Sequence, residues 1–93
     1  MAIAHEAKEH VVTTRLVNKR PDRLMLYLEP WGDAYEMPPA AAFEVVARGP
    51  QGDTLEVELA DDHIVLWGWG GSIVTVYHQG TPLGLAEEAR PRV

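Results

Sequence analysis

Among the side chains that could do chemistry in this sequence, His63 and His78 have the most suggestive spacing. They bracket two β-patterned runs, 63–69 and 73–78, joined by Gly70-Gly71-Ser72. If those runs form an antiparallel hairpin centred on the two glycines, the histidines stand directly opposite one another, with Cβ atoms roughly 4.5–5.5 Å apart. Two imidazoles with Asp61 or Asp62 make a donor set for zinc or copper, and a metal-dependent enzyme is the function that would follow. The plainer reading is two polar residues at the open end of a hairpin, one of them hydrogen-bonded to Asp62. His5 and His10, five positions apart, fit neither the i,i+4 spacing of a helix nor the i,i+2 spacing of a strand.

Other catalytic sets fail on context. Ser72 follows Gly70-Gly71 and precedes Ile73-Val74, so it lacks the Gly-x-Ser-x-Gly elbow and leads into a strand instead of a helix. Its hydroxyl is expected to serve the local backbone of a turn. Glu29, Asp33 and Glu36 surround a Pro-Trp-Gly turn, and Glu56 and Glu58 share the wet face of one strand. No spacing fixes two carboxylates across a cleft. The glycines of Gly68-Trp69-Gly70-Gly71 join strand to strand, whereas a phosphate cradle needs a following helix. These readings point to a chain that is not an enzyme and takes no cofactor.

The aromatic residues are the stronger candidates for recognition. The chain has three tryptophans, each beside a glycine: Trp31-Gly32, Trp67-Gly68 and Trp69-Gly70. A glycine lets a flat ring lie over backbone. Trp67 is expected in the core, while Trp69 at a hairpin tip and Trp31 in a turn are candidate surface contacts. With Tyr35, and with Tyr27 as a further platform, they could stack on a sugar or anchor a protein partner.

The elements that must hold these residues are strands. Val11 to Asn18 alternates, with Val11, Thr13, Arg15 and Val17 on one face and Val12, Thr14 and Leu16 on the other. Leu24, Leu26 and Leu28 alternate with Met25, Tyr27 and Glu29, which places the leucines on a core face. Pro30 ends that run, and Tyr35–Met37 is short and extended before Pro38-Pro39. Ala40-Ala41-Ala42 is too short for a helix of its own, and a strand continues through Phe43, Val45 and Ala47. Leu55, Val57 and Leu59 alternate with Glu56 and Glu58. Residues 63–69 read as a central strand and 73–78 as its neighbour, with Leu83-Gly84-Leu85 as a short edge strand. The expected core is Leu24, Leu26, Leu28, Leu55, Val57, Leu59, Ile64 and Leu66.

About seven strands at spacings of roughly 8–12 residues predict an all-β fold, a small antiparallel sandwich or barrel. The alternative is α+β, with one short helix at either terminus. Ninety-three residues and 10.3 kDa suit one domain. Residues 1–10 read as a flexible arm, 11–85 as the β domain and 86–93 as a tail. There are no cysteines, which removes disulfides and thiolate chemistry. The net charge of −6 argues against nucleic acid and anionic membrane as partners. Charged residues occupy the place where a signal peptide would be apolar, so a cytoplasmic protein is expected.

The segment Leu28-Glu29-Pro30-Trp31-Gly32-Asp33-Ala34-Tyr35-Glu36-Met37-Pro38-Pro39 resembles one found in small bacterial proteins of unassigned function. Those proteins carry a leucine-rich strand, Glu-Pro-Trp-Gly, a Tyr three residues later and a Pro-Pro commonly followed by Gly, where this chain has Ala40. The resemblance, with the strand before it, covers about a quarter of the chain; it implies a compact β domain and no particular substrate. The rhythm of turns and strands is also loosely similar to cupredoxin-like sandwiches, but the cysteine ligand of blue copper is absent here.

Two further readings therefore stand ahead of the metal enzyme. One is a non-catalytic β domain that binds protein. The other is a binder of small, carbohydrate-like ligands on exposed aromatics. The Val11–Asn18 run is apolar or β-branched on both faces and holds only Arg15 as a guard, which suits a free edge poorly. It is expected either inside the sheet or paired with a second copy, as a homodimer about a two-fold axis with Trp31 or Trp69 near the contact. A monomer whose N-terminal arm covers that edge is the plainer alternative.

Overall fold

The computed structural model describes residues 9–85 and 87–93. It contains eight strands in chain order: β1 His10–Val17, β2 Leu24–Glu29, β3 Asp33–Met37, β4 Ala42–Gly49, β5 Glu56–Leu59, β6 His63–Trp67, β7 Ile73–His78 and β8 Thr81–Pro82. A single turn of 3₁₀ helix follows at Glu87–Ala89. Two four-stranded sheets, ordered β1-β4-β7-β8 and β3-β2-β6-β5, pack as a sandwich and not as a closed barrel. The all-β expectation holds, and among the described residues there is no α-helix.

Period two decides which faces meet. Leu24, Leu26 and Leu28 of β2 and Ile64 and Leu66 of β6 turn inward from one sheet. Phe43, Val45 and Ala47 of β4 and Val74 and Val76 of β7 turn inward from the other. Met37 is fully buried among them, although its position before Pro38-Pro39 marked it only as the end of a short strand. Burying a side chain of this size contributes about 1.5–3 kcal/mol.

The strand order departs from a simple succession of hairpins. β6 lies parallel to β2, with Leu26 opposite Ile64 and Leu28 opposite Leu66. β7 pairs instead with β4 in the opposite sheet. The segment from Gly68 to Ser72 is thus a crossover between sheets, and the expected β6–β7 hairpin does not form. Residues 83–85 are not a strand; the short edge is Thr81–Pro82, inside what read as a turn. His10 opens β1, while residues 1–8 of the expected arm lie outside the described residues.

Asn18 ties the two sheets together beyond β1. Its side-chain amide donates to the carbonyls of Asp22 and Met37 at 2.9 and 3.0 Å, and its carbonyl oxygen accepts the Arg20 N–H. A buried amide with both ends bonded is held by the folded chain; left unbonded it would be costly. Residues 87–93, expected as a tail, are also anchored. Val93 exchanges main-chain hydrogen bonds with Gly71 and Ser72, each 2.9 Å long.

Candidate functional site

The two longitudinal flanks of the sandwich differ. On one flank, the C-terminal segment is anchored to β3. Arg90 is buried there: it donates to the Asp33 carboxylate and, at 3.2 Å, to the Tyr35 hydroxyl. The Tyr35 hydroxyl lies 3.2 Å from both Leu83 O and Asp33 Oδ2, either of which can accept its proton. Burial pushes the Tyr35 hydroxyl above its ordinary pKa of 10.0, with the hydrogen bond from Arg90 opposing. Trp31 completes the cluster. Its indole N–H donates to Pro91 O at 2.7 Å and its face receives the Arg90 guanidinium. A Cβ on Gly68 would stand 2.8 Å from Trp31 Cη2, so the ring does lie over glycine backbone, though not that of its neighbour Gly32.

Trp31 and Tyr35, expected as surface contacts, are therefore half-buried members of an internal polar knot. Trp69 is 5% exposed, with its indole N–H donated to Pro50 O at 2.8 Å and its ring against His10. Trp67, expected in the core, is 38% exposed on the outer face of its sheet. The exchange follows from the crossover. Trp67 is the last residue in β6 and keeps the outward parity of His63 and Val65. Trp69 lies past the break at Gly68, where period two no longer applies. Ser72 is buried, and its hydroxyl oxygen accepts the Trp69 main-chain N–H at 2.8 Å.

The proposed metal pair is separated by the same crossover. His63 lies in parallel register with Met25 on β2, shares a 2.7 Å hydrogen bond with Asp62 and stacks edge-on against Tyr27. That bond holds the Asp62 carboxyl below its usual range. His78 faces Phe43 on β4 in the other sheet, their ring centroids 5.1 Å apart. The two histidines are not cross-strand neighbours. Among the described residues, no three histidine or acidic side chains are grouped to hold a metal ion.

On the other flank, β1 and β5 are the edge strands of their respective sheets. They run alongside one another. At one end His10 Nε2 and Thr54 Oγ1 share a 3.0 Å hydrogen bond; at the other Arg20 Nη1 donates to Asp61 O. Between these ties the inward faces stay partly open. Val57 is paired with Leu66 and Leu59 with Ile64, and directly paired residues share a face, so Val57 and Leu59 point inward with the core. Yet they are 42% and 79% exposed. The expected burial of Val57 and Leu59 fails at the edge of the sandwich: β5 and β1 are the last strands of their sheets, and Val12, Thr14 and Leu16 of β1 are themselves only half-buried. Leu55, also expected in the core, is half-buried against it. The sequence pattern showed which face these residues take but held no information about whether a second sheet reaches over them.

No helix among the described residues is long and apolar enough to cross a membrane. No protein-family model, curated protein or solved structure matches the chain.

Proposed function

We propose that this chain is a non-catalytic β domain that acts by binding protein, and that the flank formed by β1 and β5 is its contact surface. The observation that carries the reading is the exposure of Leu59, an inward-facing core residue by register, at 79%. Exposed apolar surface beside an open strand edge suits protein docking, where main-chain pairing and apolar burial act together. The engagement of Trp31, Tyr35 and Trp69 in internal hydrogen bonds supports protein binding over carbohydrate stacking as the use of this fold.

A photo-cross-linking side chain placed at Leu59 in cells tests the proposal, with the same group at Glu36 as reference. A discrete cross-linked protein product at Leu59, absent at Glu36, is the expected result. Equal or no products at the two positions would overturn the reading.

A further inference from the structure

We infer that the partner at this flank is a second copy of the chain, and that the two copies join their β1 strands antiparallel about a two-fold axis through Thr14. This inference rests on the protein-binding reading above and names its partner.

The direction of the β1 main chain is set by its pairing with β4. The register runs from His10 opposite Gly49 to Val17 opposite Ala42, and the Asn18 N–H bonds to Ala41 O one step further on. In an antiparallel ladder, residues alternate between aiming both main-chain groups at the neighbour and aiming both away. Asn18, Leu16, Thr14 and Val12 therefore face β4. Val17, Arg15, Thr13 and Val11 aim their N–H and C=O groups at the open edge, where no strand among the described residues pairs with them.

This edge lacks the usual guards. The other edges are β3, which carries Asp33 and Glu36, β5, which carries Glu56 and Glu58, and the two-residue β8, which contains Pro82. β1 has eight residues, no proline and no acidic side chain, and Arg15 is its one guanidinium or ammonium group. In a chain of net charge −6, the longest edge is thus free of the charge that would repel a second copy.

Self-pairing selects one register. An axis at Thr14 sets Val11 opposite the partner's Val17 and Thr13 opposite the partner's Arg15, so every outward main-chain group from Val11 to Val17 is matched. On the inner face it sets Val12 opposite the partner's Leu16 and Thr14 opposite the partner's Thr14. An axis at Arg15 would instead place two guanidinium groups face to face, which is destabilising. An axis at Thr13 would place Leu16 opposite the partner's His10 and Val17 opposite the partner's Glu9. With the axis at Thr14, perpendicular to the joined sheet, both β5 strands stand on the same side of it. The uncovered Val57 and Leu59 of each copy then lie beneath the seam.

The chain has no cysteine, so single cysteines report the register directly. Under mild oxidation the full-length Thr14→Cys variant should cross-link to a covalent dimer, and Val11→Cys should not, because the axis carries the two Val11 positions far apart. The wild-type mass should rise from 10.3 kDa toward twice that value with concentration. Thr13→Pro removes only an outward N–H and should leave a folded monomer. Val11→Lys with Val17→Lys, which opposes lysines at exposed positions, should do the same. A mass fixed at 10.3 kDa overturns the homodimer, as do equal cross-linking at the two cysteine positions and a dimer that survives both surface variants. If the mass stays fixed while the Leu59 cross-linker captures a different protein, the homodimer alone is lost; if Leu59 captures nothing, the protein-binding reading falls with it.

Discussion

The guanidinium of Arg90 lies 5.6 Å from the ring centroid of Trp31. Its side chain is almost wholly buried and is paired with the partly exposed Asp33 carboxylate. Removing one partner of such a pair leaves the other charge short of solvent and short of a counter-ion. Arg90→Ala should therefore cost about 2–4 kcal/mol, less than a fully buried pair would because water still reaches Asp33. Urea unfolding measures this, and a loss below about 1 kcal/mol would contradict the account of the C-terminal anchor.

Stability should fall at alkaline pH through Tyr35. Burial raises the folded-state pKa of its hydroxyl above the ordinary 10.0. The proton is held more tightly in the folded chain than in the unfolded one. Its stabilising contribution is full below the ordinary value and is lost as pH rises through the raised one. In a urea series from about pH 8 to about pH 11, Tyr35→Phe should flatten part of the alkaline decline, while costing about 1 kcal/mol near neutrality for the lost hydrogen bond. Identical alkaline slopes in the two proteins would refute the assignment.

Leu26 and Leu59 share inward-facing registers and differ in cover. Leu26→Ala should cost about 2–5 kcal/mol, since the residue is fully buried. Leu59→Ala, measured in the dilute monomer, should shift stability by less than about 0.5 kcal/mol. Comparable losses at both sites would mean that β5 is covered within the monomer.

Gly49 and Gly70 form a matched pair for a backbone test. A Cβ at Gly49 would stand 2.7 Å from Ser72 Cα and 3.0 Å from Trp69 Cε2, while one at Gly70 would meet nothing within 4 Å. Gly49→Ala should be destabilising by about 1–3 kcal/mol, because the obstruction is backbone and a packed indole. Gly70→Ala should be close to neutral, and calorimetric melting of the two variants separates them.

The arrangement of Trp67 and Trp69 shows where alternation along the chain loses its meaning. Period two is a local property of an unbroken strand, and it read Leu24, Leu26, Leu28, Ile64 and Leu66 correctly as core. Carried across Gly68 it puts Trp67 and Trp69 on one face, and a hairpin at Gly70-Gly71 would put Trp69 at its tip. The strand ends at Trp67 and that hairpin does not form, so the two tryptophans take the opposite places. The Trp31–Arg90–Tyr35 cluster had no comparable signal. Its members come from β3, from the turn before it and from the C-terminal segment, and nothing in the local pattern around Arg90 distinguishes a buried guanidinium from a solvated one.

What could be read from the sequence was most of the strand content, most of the turns and the parity of side chains within unbroken strands, because those follow from neighbours a few residues apart. Tertiary structure alone decided the rest. The passage of the chain from one sheet to the other after β6 parted His63 from His78 and buried Trp69. The place of β5 at the edge of its sheet left Leu59 in solvent with the register of a core residue. Both depend on which strands lie side by side and on where a sheet stops. Those outcomes are set by contacts between segments distant in sequence, to which a local pattern of polar and apolar residues is blind.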